Sequence, residues 1–150
     1  MIYLGADHRG FGLKGAIKEK LKLHNFDVVD IGAHNLEEGD DYPEIAFSVA
    51  QRVSKDEKSF GILFCGSGAG MCITANKAPG VRATVGVNPD MVRSARSDDN
   101  INILCIAADF CSESEAWAMI ELFLDTAFDD KPQHARRLDQ ITHYENSSSH

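Results

Sequence analysis

The sequence predicts a doubly wound α/β fold, in which helices pack on both faces of a sheet of five parallel strands. Short apolar runs alternate along the chain with segments in which apolar residues recur every three or four positions. Glycines and helix-start signals separate the two kinds of segment. Strands and helices therefore alternate throughout, which is typical of a parallel sheet with crossover helices.

The first half of the chain supplies three of the predicted strands. Residues 1–5 are an apolar run that ends at a glycine, and residues 27–32 (Asp-Val-Val-Asp-Ile-Gly) also end at one, which indicates two short strands. Between them, residues 11–24 carry apolar side chains at helical spacing. A second helix is predicted to start near Pro43, because proline suits a first helical turn. The third strand is the apolar run of residues 60–65.

The second half supplies the other two strands, over residues 81–87 and 102–107. Asn88 and Pro89 suit the N-cap and the first position of a helix between them, which we expect to run to about residue 97. Residues 112–115 form a Ser-Glu-Ser-Glu capping box, and apolar residues at helical spacing follow it. A last short helix is expected to end at about Tyr144.

Length and composition fit one soluble domain over residues 1–150, with residues 145–150 as a frayed polar tail. Apolar residues make up 43% of the chain and charged residues 25%, which is ordinary for a globular protein. The net charge of -8 argues against nucleic acid or an anionic membrane as a partner. No apolar run reaches the roughly 18 residues of a membrane helix. We therefore expect a cytoplasmic protein.

The four cysteines are expected to be reduced thiols. Cys65, Cys72, Cys105 and Cys111 contain no Cys-x-x-Cys spacing, so they predict neither a metal site nor a disulfide framework. Cys72 and Cys105 fall in apolar segments, and we expect both to be ordinary core residues.

The stretch that points to chemistry begins where the third predicted strand breaks at Cys65. Glycines follow at alternate positions, Gly66, Gly68 and Gly70, before helix-forming residues resume. This pattern predicts a tight loop whose backbone amides point one way and hold an anion, or an oxyanion formed during a reaction. A thiol beside such an anion hole exceeds the needs of a binding loop, although a structural turn with an incidental cysteine is the alternative.

Three well-known glycine loops do not match this spacing. A dinucleotide fingerprint needs a glycine three residues after Gly68, where Met71 stands. A phosphate-binding P-loop needs Gly-Lys-Ser/Thr, but Gly70 is followed by Met71 and Cys72. A phosphatase loop of the Cys-x5-Arg kind would need an arginine at position 71.

The groups near the loop suit two reaction types. Asp7, His8 and Arg9 follow the first strand, so they reach the same edge of a parallel sheet as the glycine loop. One reaction is covalent catalysis at a carbonyl, with His8 as a base for Cys65. The other is removal of a proton next to a carbonyl, with the amides and the Ser67 hydroxyl holding an enediolate. His8 is equally placed to bind a phosphate.

Four strings in the chain carry a family resemblance. They are residues 5–10 (Gly-Ala-Asp-His-Arg-Gly), 41–43 (Asp-Tyr-Pro), 65–70 (Cys-Gly-Ser-Gly-Ala-Gly) and 75–77 (Ala-Asn-Lys). Over nearly its whole length the chain resembles the sugar-phosphate isomerases that include ribose-5-phosphate isomerase B and galactose-6-phosphate isomerase. The resemblance implies a Rossmann-like fold and cofactor-independent aldose–ketose interconversion through an enediolate. It also implies a homodimer or tetramer with each site at a subunit interface.

The resemblance also implies roles for residues at the reacting end of the substrate. Cys65 would be the base that moves a proton between C1 and C2, and Ser67 would hydrogen-bond the reacting oxygens. Asp7 would contact sugar hydroxyls or pass protons between oxygens. The anion hole would be formed by the amides of Gly66, Gly68, Ala69 and Gly70.

At the phosphate end the chain departs from the family pattern. The resemblance places His8 near the phosphate or the ring oxygen, Tyr42 along the pocket, and Arg137 on the phosphate. Arginines are often found at two further positions, where this chain has Gln133 and Phe110. Three other arginines are candidates to compensate: Arg9, Arg96 and Arg136.

A second departure concerns opening of the sugar ring. Many family members have His-Asn after the fourth helix, and the histidine opens the furanose ring. Asp98 and Asp99 stand there in this chain, followed by Asn100. Adjacent carboxylates raise one pKa of the pair, so Asp98 would serve as a weak acid, with Asp99 and Asn100 beside the substrate.

These departures leave more than one substrate open. Ribose 5-phosphate and ribulose 5-phosphate, of the pentose phosphate pathway, are the first choice because the motifs are closest to that branch. A tetrose 4-phosphate cannot close a furanose ring and would need no ring-opening histidine, and a hexose 6-phosphate is a third option. From another class, a non-catalytic sugar-phosphate-binding module would share the fold.

Overall fold

The computed structural model describes residues 1–148, which form a five-stranded sheet and six helices. The strands are β1 (Ile2–Ala6), β2 (Val28–Gly32), β3 (Phe60–Cys65), β4 (Ala83–Val85) and β5 (Ile103–Ala107). The helices are α1 (Phe11–Leu23), α2 (Tyr42–Val53), α3 (Ala69–Ala75), α4 (Pro89–Asp99), α5 (Glu113–Asp125) and α6 (Pro132–Ser147). In this part of the chain, no helix is both long enough and apolar enough to cross a membrane.

All five strands run parallel, in the spatial order β2-β1-β3-β5-β4. The central strand β3 pairs with β1 up to Ala6 and Phe64, and with β5 up to Cys65 and Ala107. From β1 the chain turns outward to β2, whereas from β3 it continues to the other side of the sheet. The switch point between β1 and β3 is where such sheets bind ligands, beyond the carboxyl ends of the strands.

Side chains of the central strands alternate between two hydrophobic clusters. Ile62 and Phe64 of β3 join a cluster with residues of α1, α4 and α5. Leu63 and Cys65 join a second cluster with residues of α2 and α3. Since successive side chains of a strand point to opposite faces, both faces of the sheet are covered by helices. The predicted doubly wound α/β class is confirmed.

The fourth strand is shorter than predicted. The expected strand spans residues 81–87, but β4 covers only Ala83–Val85. Val81 donates its amide to the Ala78 carbonyl in a turn, and the Arg82 amide donates to the Asn102 side chain at 2.8 Å. Because β4 is an edge strand that pairs with β5 alone, these bonds take the place of ladder bonds for the amides at its N-terminal end.

Helix α6 extends past its predicted end at about Tyr144 and runs to Ser147. Residues 145–147, expected as the start of a frayed tail, are therefore helical. Glu145 accepts a hydrogen bond from the Gly80 amide at 3.0 Å, which ties this end to the rest of the chain. Residues 149 and 150, the end of the expected tail, lie outside the described residues. No residue of α6 is buried.

Candidate active site

The loops that follow β1 and β3 meet at the switch point of the sheet. The Asp7 amide donates to the Phe64 carbonyl at 3.2 Å. Gly10 packs against the same peptide, and a Cβ on Gly10 would lie 2.5 Å from the Phe64 carbonyl oxygen. These backbone contacts hold residues 7–9 beside Cys65, as the sequence predicts.

Asp7 fixes its own loop with one carboxylate oxygen. The side chain is 5% exposed, and its Oδ1 accepts the amides of Arg9 at 3.0 Å and Gly10 at 3.1 Å. The other oxygen, Oδ2, has no hydrogen-bond partner within residues 1–148. Asp7 therefore has one acceptor oxygen committed to the loop and one left for a ligand hydroxyl.

The glycine loop requires its left-handed turn. Gly68 has a φ of 75° and precedes the first residue of α3. A Cβ on Gly68 would lie 3.1 Å from Val85 Cγ1, so a side chain there would meet both strain and crowding. Ser67 Oγ accepts the Ala69 amide at 3.2 Å, which closes the turn. Since α3 has only seven residues, anion binding here depends on the loop amides more than on a long helix dipole.

The loop after β5 orients the amides of the glycine loop. The carbonyl of Cys65 accepts the Ala108 amide at 2.9 Å, and the carbonyl of Gly66 accepts the Asp109 amide at 3.1 Å. In a trans peptide the C=O and the following N–H point in opposite directions. The N–H groups of Gly66 and Ser67 therefore point away from the β5 loop and are open to an anion.

Cys65 lies at the end of β3, beneath this loop. It is 4% exposed, and it packs in the cluster formed with α2 and α3. The thiol is therefore shielded from bulk water, and its residue directly precedes the loop that carries the open amides. This is the arrangement that a base for carbon acids needs, because electrostatic contacts are stronger where water is excluded.

Arg9 and Tyr42 cover two glycines of the loop. The Arg9 guanidinium lies over Gly66, where an added Cβ would lie 2.5 Å from Nε, and it is paired with Asp109. The Tyr42 ring lies over Gly70, where an added Cβ would be 2.6 Å from Cζ. Arg9 thus brings a cation to the mouth of the loop, and both glycines leave room for a larger neighbour.

A further group of predicted site residues lies at the opposite end of the sheet, where the strands begin. Asn100 accepts the Arg96 guanidinium at 2.6 Å, and Arg96 lies over the ring of Phe60, 5.1 Å from its centroid. Phe60 begins β3 and Cys65 ends it, about 16 Å away at the usual rise of a strand. Within one chain these residues are therefore not brought together with Cys65: Asp98, Asp99, Asn100, Arg136 and Arg137.

Helix α6 lies beside that distant group and carries two of its residues. Asp98 is 51% exposed, and its Oδ1 lies 3.9 Å from Nε2 of His134, in the first turn of α6. Arg136 and Arg137 follow on the same helix. Arg96 is only 8% exposed and is bonded to Asn100, so a role for Arg96 as a compensating phosphate ligand is not supported.

Two acidic residues at the site are absent from the sequence prediction. Asp109 pairs with Arg9, and Asp40 bonds both the backbone and the ring of His8. Each partner is distant in sequence, and each carboxylate stands in an otherwise ordinary polar loop. No local pattern distinguishes them from the exposed acidic residues around them.

A cavity of about 590 Å³ opens beside Ser67, and Cys65 is not among its lining residues. Its lining includes Val87 and Met119, and Phe110 at its rim is 78% exposed. A sugar phosphate needs convergent polar groups, which this mostly apolar lining does not provide. We therefore assign the chemistry to the adjoining edge at Cys65.

The cysteines behind the loop behave differently from one another. Cys105 is fully buried, as expected, and burial raises its pKa well above the usual value. The expectation that Cys72 is an ordinary core residue is wrong, because it is only partly buried. A hydrogen bond with the Cys105 thiol, helped by the Asn76 side chain, lowers the pKa of Cys72 to about 7. Within residues 1–148, no three His, Cys, Asp or Glu side chains converge as metal ligands.

Alkylation should distinguish these thiols. We expect iodoacetamide to label Cys72 with a midpoint near pH 7, since the thiolate is present above its lowered pKa of about 7. Cys111 is the internal control, because burial raises its pKa above 9.0 and its labelling should need more alkaline solution. Peptide mass spectrometry across pH would measure both. Labelling of Cys72 and Cys111 over the same pH range would contradict the lowered pKa of Cys72.

Comparison with known proteins identifies chains of the same shape and sequence pattern. A family model described as Ribose/Galactose Isomerase matches residues 2–141. A Mycoplasma genitalium protein named probable ribose-5-phosphate isomerase B is 42% identical over 145 residues, which cover 96% of this chain and 95% of the relative.

Solved structures and a more distant relative extend the comparison. A crystal structure of ribose-5-phosphate isomerase B from Mycoplasma genitalium with bound ribulose-5-phosphate superposes with a TM-score of 0.94 at 40% identity, covering 98% of this chain and 97% of that one. A Mycolicibacterium smegmatis protein named D-erythrulose-4-phosphate isomerase 2 is 29% identical, covering 96% of both chains.

Proposed function

The chain belongs to the ribose/galactose isomerase family, and from that premise we propose that it interconverts ribose 5-phosphate and ribulose 5-phosphate. The reaction would proceed through an enediolate without a cofactor, as a step of the pentose phosphate pathway. The observation that carries the proposal is the enclosed Cys65 thiol beneath open loop amides, with Asp7 and His8 beside it. The ribulose-5-phosphate complex of the Mycoplasma genitalium relative supports the choice of sugar.

The proposed mechanism assigns each step to a residue at this edge. The Cys65 thiolate removes the C2 proton of the open-chain aldose, and the electrons form the C1–C2 double bond of the enediolate. The amides of Gly66, Gly68 and Gly70 and the Ser67 hydroxyl hold the developing oxyanion, while the Ala69 amide stays bonded to Ser67 Oγ. Asp7 passes a proton between the two oxygens through its open Oδ2. Cys65 then returns its proton to C1, which yields the ketose.

We propose that a homodimer, alone or within a tetramer, completes each site. Arg137 and Asp98 lie at the sheet edge opposite Cys65 in one chain, and no residue of α6 is buried. In a symmetric dimer the same two surfaces of both copies meet, so α6 of one copy would reach the glycine loop of the other. Arg136, Arg137, Asp98, Asp99 and Asn100 would then contact the substrate of the second subunit, opposite Arg9.

Mixing two inactive variants tests the shared site. Cys65→Ala removes the base and Arg137→Ala removes a phosphate ligand, so each protein alone should be nearly inactive. Unfolded and refolded together, they should regain about a quarter of the parental activity, because random pairing gives half heterodimers with one intact site each. Steady-state assay of the mixture measures this. No recovery, with dimers present by light scattering, would place Arg137 and Cys65 in the same subunit's site.

Incubation with ribose 5-phosphate in deuterated water tests the activity itself. Proton NMR should show ribulose 5-phosphate with deuterium at C1, as an enediolate route requires. Turnover of erythrose 4-phosphate alone would favour a tetrose substrate, which Asp98 and the relative named D-erythrulose-4-phosphate isomerase 2 make the second candidate. Turnover of galactose 6-phosphate alone would favour the hexose option. Phosphate-ligand binding with no turnover of any sugar would indicate a binding module.

The proposal includes a cytoplasmic location. Its support is that Cys65, Cys72, Cys105 and Cys111 are all free thiols in the structure. A reducing compartment keeps thiols in that state, and the proposed base depends on it.

A further inference from the structure

One carboxylate oxygen holds the imidazole of His8. Asp40 Oδ1 accepts the backbone N–H of His8 at 2.8 Å and lies 2.8 Å from His8 Nδ1. An ionised carboxylate only accepts hydrogen bonds, so the proton between the two side chains belongs to Nδ1. Nε2 is therefore the nitrogen left to act on a ligand, on a side chain that is 31% exposed.

Asp40 is itself nearly enclosed. Its side chain is 13% exposed, and Oδ2 is buried without a hydrogen-bond partner in the described part of the chain. A buried carboxylate with half of its acceptors unused is costly unless a cation adjoins it. His8 is the group in contact with Asp40 that becomes such a cation when Nε2 takes a proton. Asp40 is therefore placed to hold the ring of His8 while Nε2 exchanges a proton with a ligand.

Because His8 is paired with Asp40, its ring would attract a phosphate only weakly. Protonated His8 and ionised Asp40 together carry no net charge, so a phosphate beside them would gain little from the ring's cation. A histidine whose tautomer is set by a carboxylate is instead the arrangement used for moving protons.

On the basis of the proposed function, we propose that Asp40 is the positioning residue for His8 and that His8 Nε2 opens the furanose ring of ribose 5-phosphate. Nε2 takes the proton of the anomeric hydroxyl as the C1–O4 bond breaks and C1–O1 becomes a carbonyl. Nε2 then gives that proton to O4, which becomes the 4-hydroxyl, so no proton is gained or lost. Both oxygens are bonded to C1, so one nitrogen serves both.

The position of His8 in the fold suits the next step. His8 follows β1, and Cys65 ends β3, which pairs with β1 through Ala6 and Phe64. The aldehyde released by ring opening would thus form beside the thiol that removes the C2 proton. In this account ring opening does not depend on Asp98.

Ribose 5-phosphate must open a furanose ring before it reacts, whereas ribulose 5-phosphate does not. Comparing the two sugars therefore separates ring opening from proton transfer at carbon. Ribulose 5-phosphate cannot close a furanose ring because its 5-hydroxyl is esterified. Exchange of its C1 hydrogen with solvent deuterium therefore needs the proton-transfer chemistry but not ring opening. Asp40→Asn should lower kcat for ribose 5-phosphate about 10²-fold, within the range for a positioned acid–base group, with KM unchanged. Deuterium exchange into ribulose 5-phosphate, followed by NMR, should stay at the parental rate.

Three further proteins complete the experiment. Glu38→Gln removes one charge from the same loop at an exposed position, and it should change neither measurement. His8→Asn should show the same split as Asp40→Asn, and the double variant should lose no more than His8→Asn alone. His8→Asn also carries the test if Asp40→Asn fails to fold.

Several outcomes would overturn the proposal. Equal loss of both measurements would mean that Asp40 supports the loop or the proton transfer at carbon. A raised KM with kcat kept would mean that the pair binds phosphate. Unchanged kcat in both variants would place ring opening elsewhere. If the parent protein neither converts ribose 5-phosphate nor exchanges ribulose 5-phosphate, the proposed function itself fails, and this proposal fails with it.

Discussion

Cys65→Ala is expected to lower kcat for ribose 5-phosphate about 10⁴-fold, the upper end of what a positioned base contributes. Cys65 is 4% exposed beneath the amide loop, so water has little access to take its place as a base. Ligand affinity, measured by calorimetry with a non-isomerisable sugar phosphate, should change little, because the proposed mechanism assigns the phosphate to other side chains. Deuterium exchange into ribulose 5-phosphate should be lost as well.

Cys111→Ala is the matched control for this prediction. Cys111 lies beyond β5 on the mostly apolar cavity, and its loss should leave turnover at the parental level. Since Cys65 is a core residue, the thermal midpoint of Cys65→Ala should be checked to confirm that the variant is folded. A folded Cys65→Ala protein that keeps more than about a tenth of the parental kcat would show that the base is another group.

The largest stability effect is expected at Asp30. Its carboxylate accepts Lys14 Nζ at 2.8 Å and Lys18 Nζ at 2.9 Å, and the Lys14 side chain is only 2% exposed. Asp30→Asn would leave a buried lysine charge without its partner, at a cost of about 3–5 kcal/mol in the free energy of unfolding. Urea unfolding at pH 7 measures the loss. Asp27→Asn, a charge removal at an exposed position nearby, should cost far less.

The pH dependence of the Asp30 effect has a defined sign. Burial works to raise the pKa of Asp30, but the hydrogen bonds from Lys14 and Lys18 outweigh it and hold the pKa below its usual 3.8. The stabilisation is therefore fully present above pH 3.8 and is lost as the pH falls through the folded-state pKa. The difference in the free energy of unfolding between the parent protein and Asp30→Asn should be constant from pH 7 to pH 5. It should become smaller only in strong acid. A difference that already narrows between pH 7 and pH 5 would contradict this origin.

Local patterns account for much of the agreement between sequence and structure. The strand of residues 60–65 has the predicted bounds, because an apolar run closed by glycines is a strong local signal. The capping box at Ser112 is present with both of its hydrogen bonds. The fourth strand was harder to predict, since an edge strand's length depends on which bonds compete at its ends, as with Arg82 and Asn102.

The site residues show the same contrast between local sequence signals and long-range packing. Residues at the end of a strand or directly after it, such as Cys65 and Asp7, are placed at one end of the sheet by the rule that the carboxyl ends of parallel strands lie together. Asp98 lies in the last turn of α4, and this helix carries it to the opposite end of the sheet, where it faces His134 of α6. Resemblance alone groups Asp98 with Cys65, whereas the single chain separates them, which is why the proposed site needs a second subunit.

The sequence by itself determined the doubly wound class, the glycine loop at Cys65 and the edge on which the β1 and β3 loops meet. These follow from periodicity and backbone chemistry within a few residues. Only the tertiary structure decided that Asp40 holds His8 and that Asp109 holds Arg9. Those pairs join side chains far apart along the chain, and their formation depends on how separate loops pack above the sheet, which no local pattern encodes.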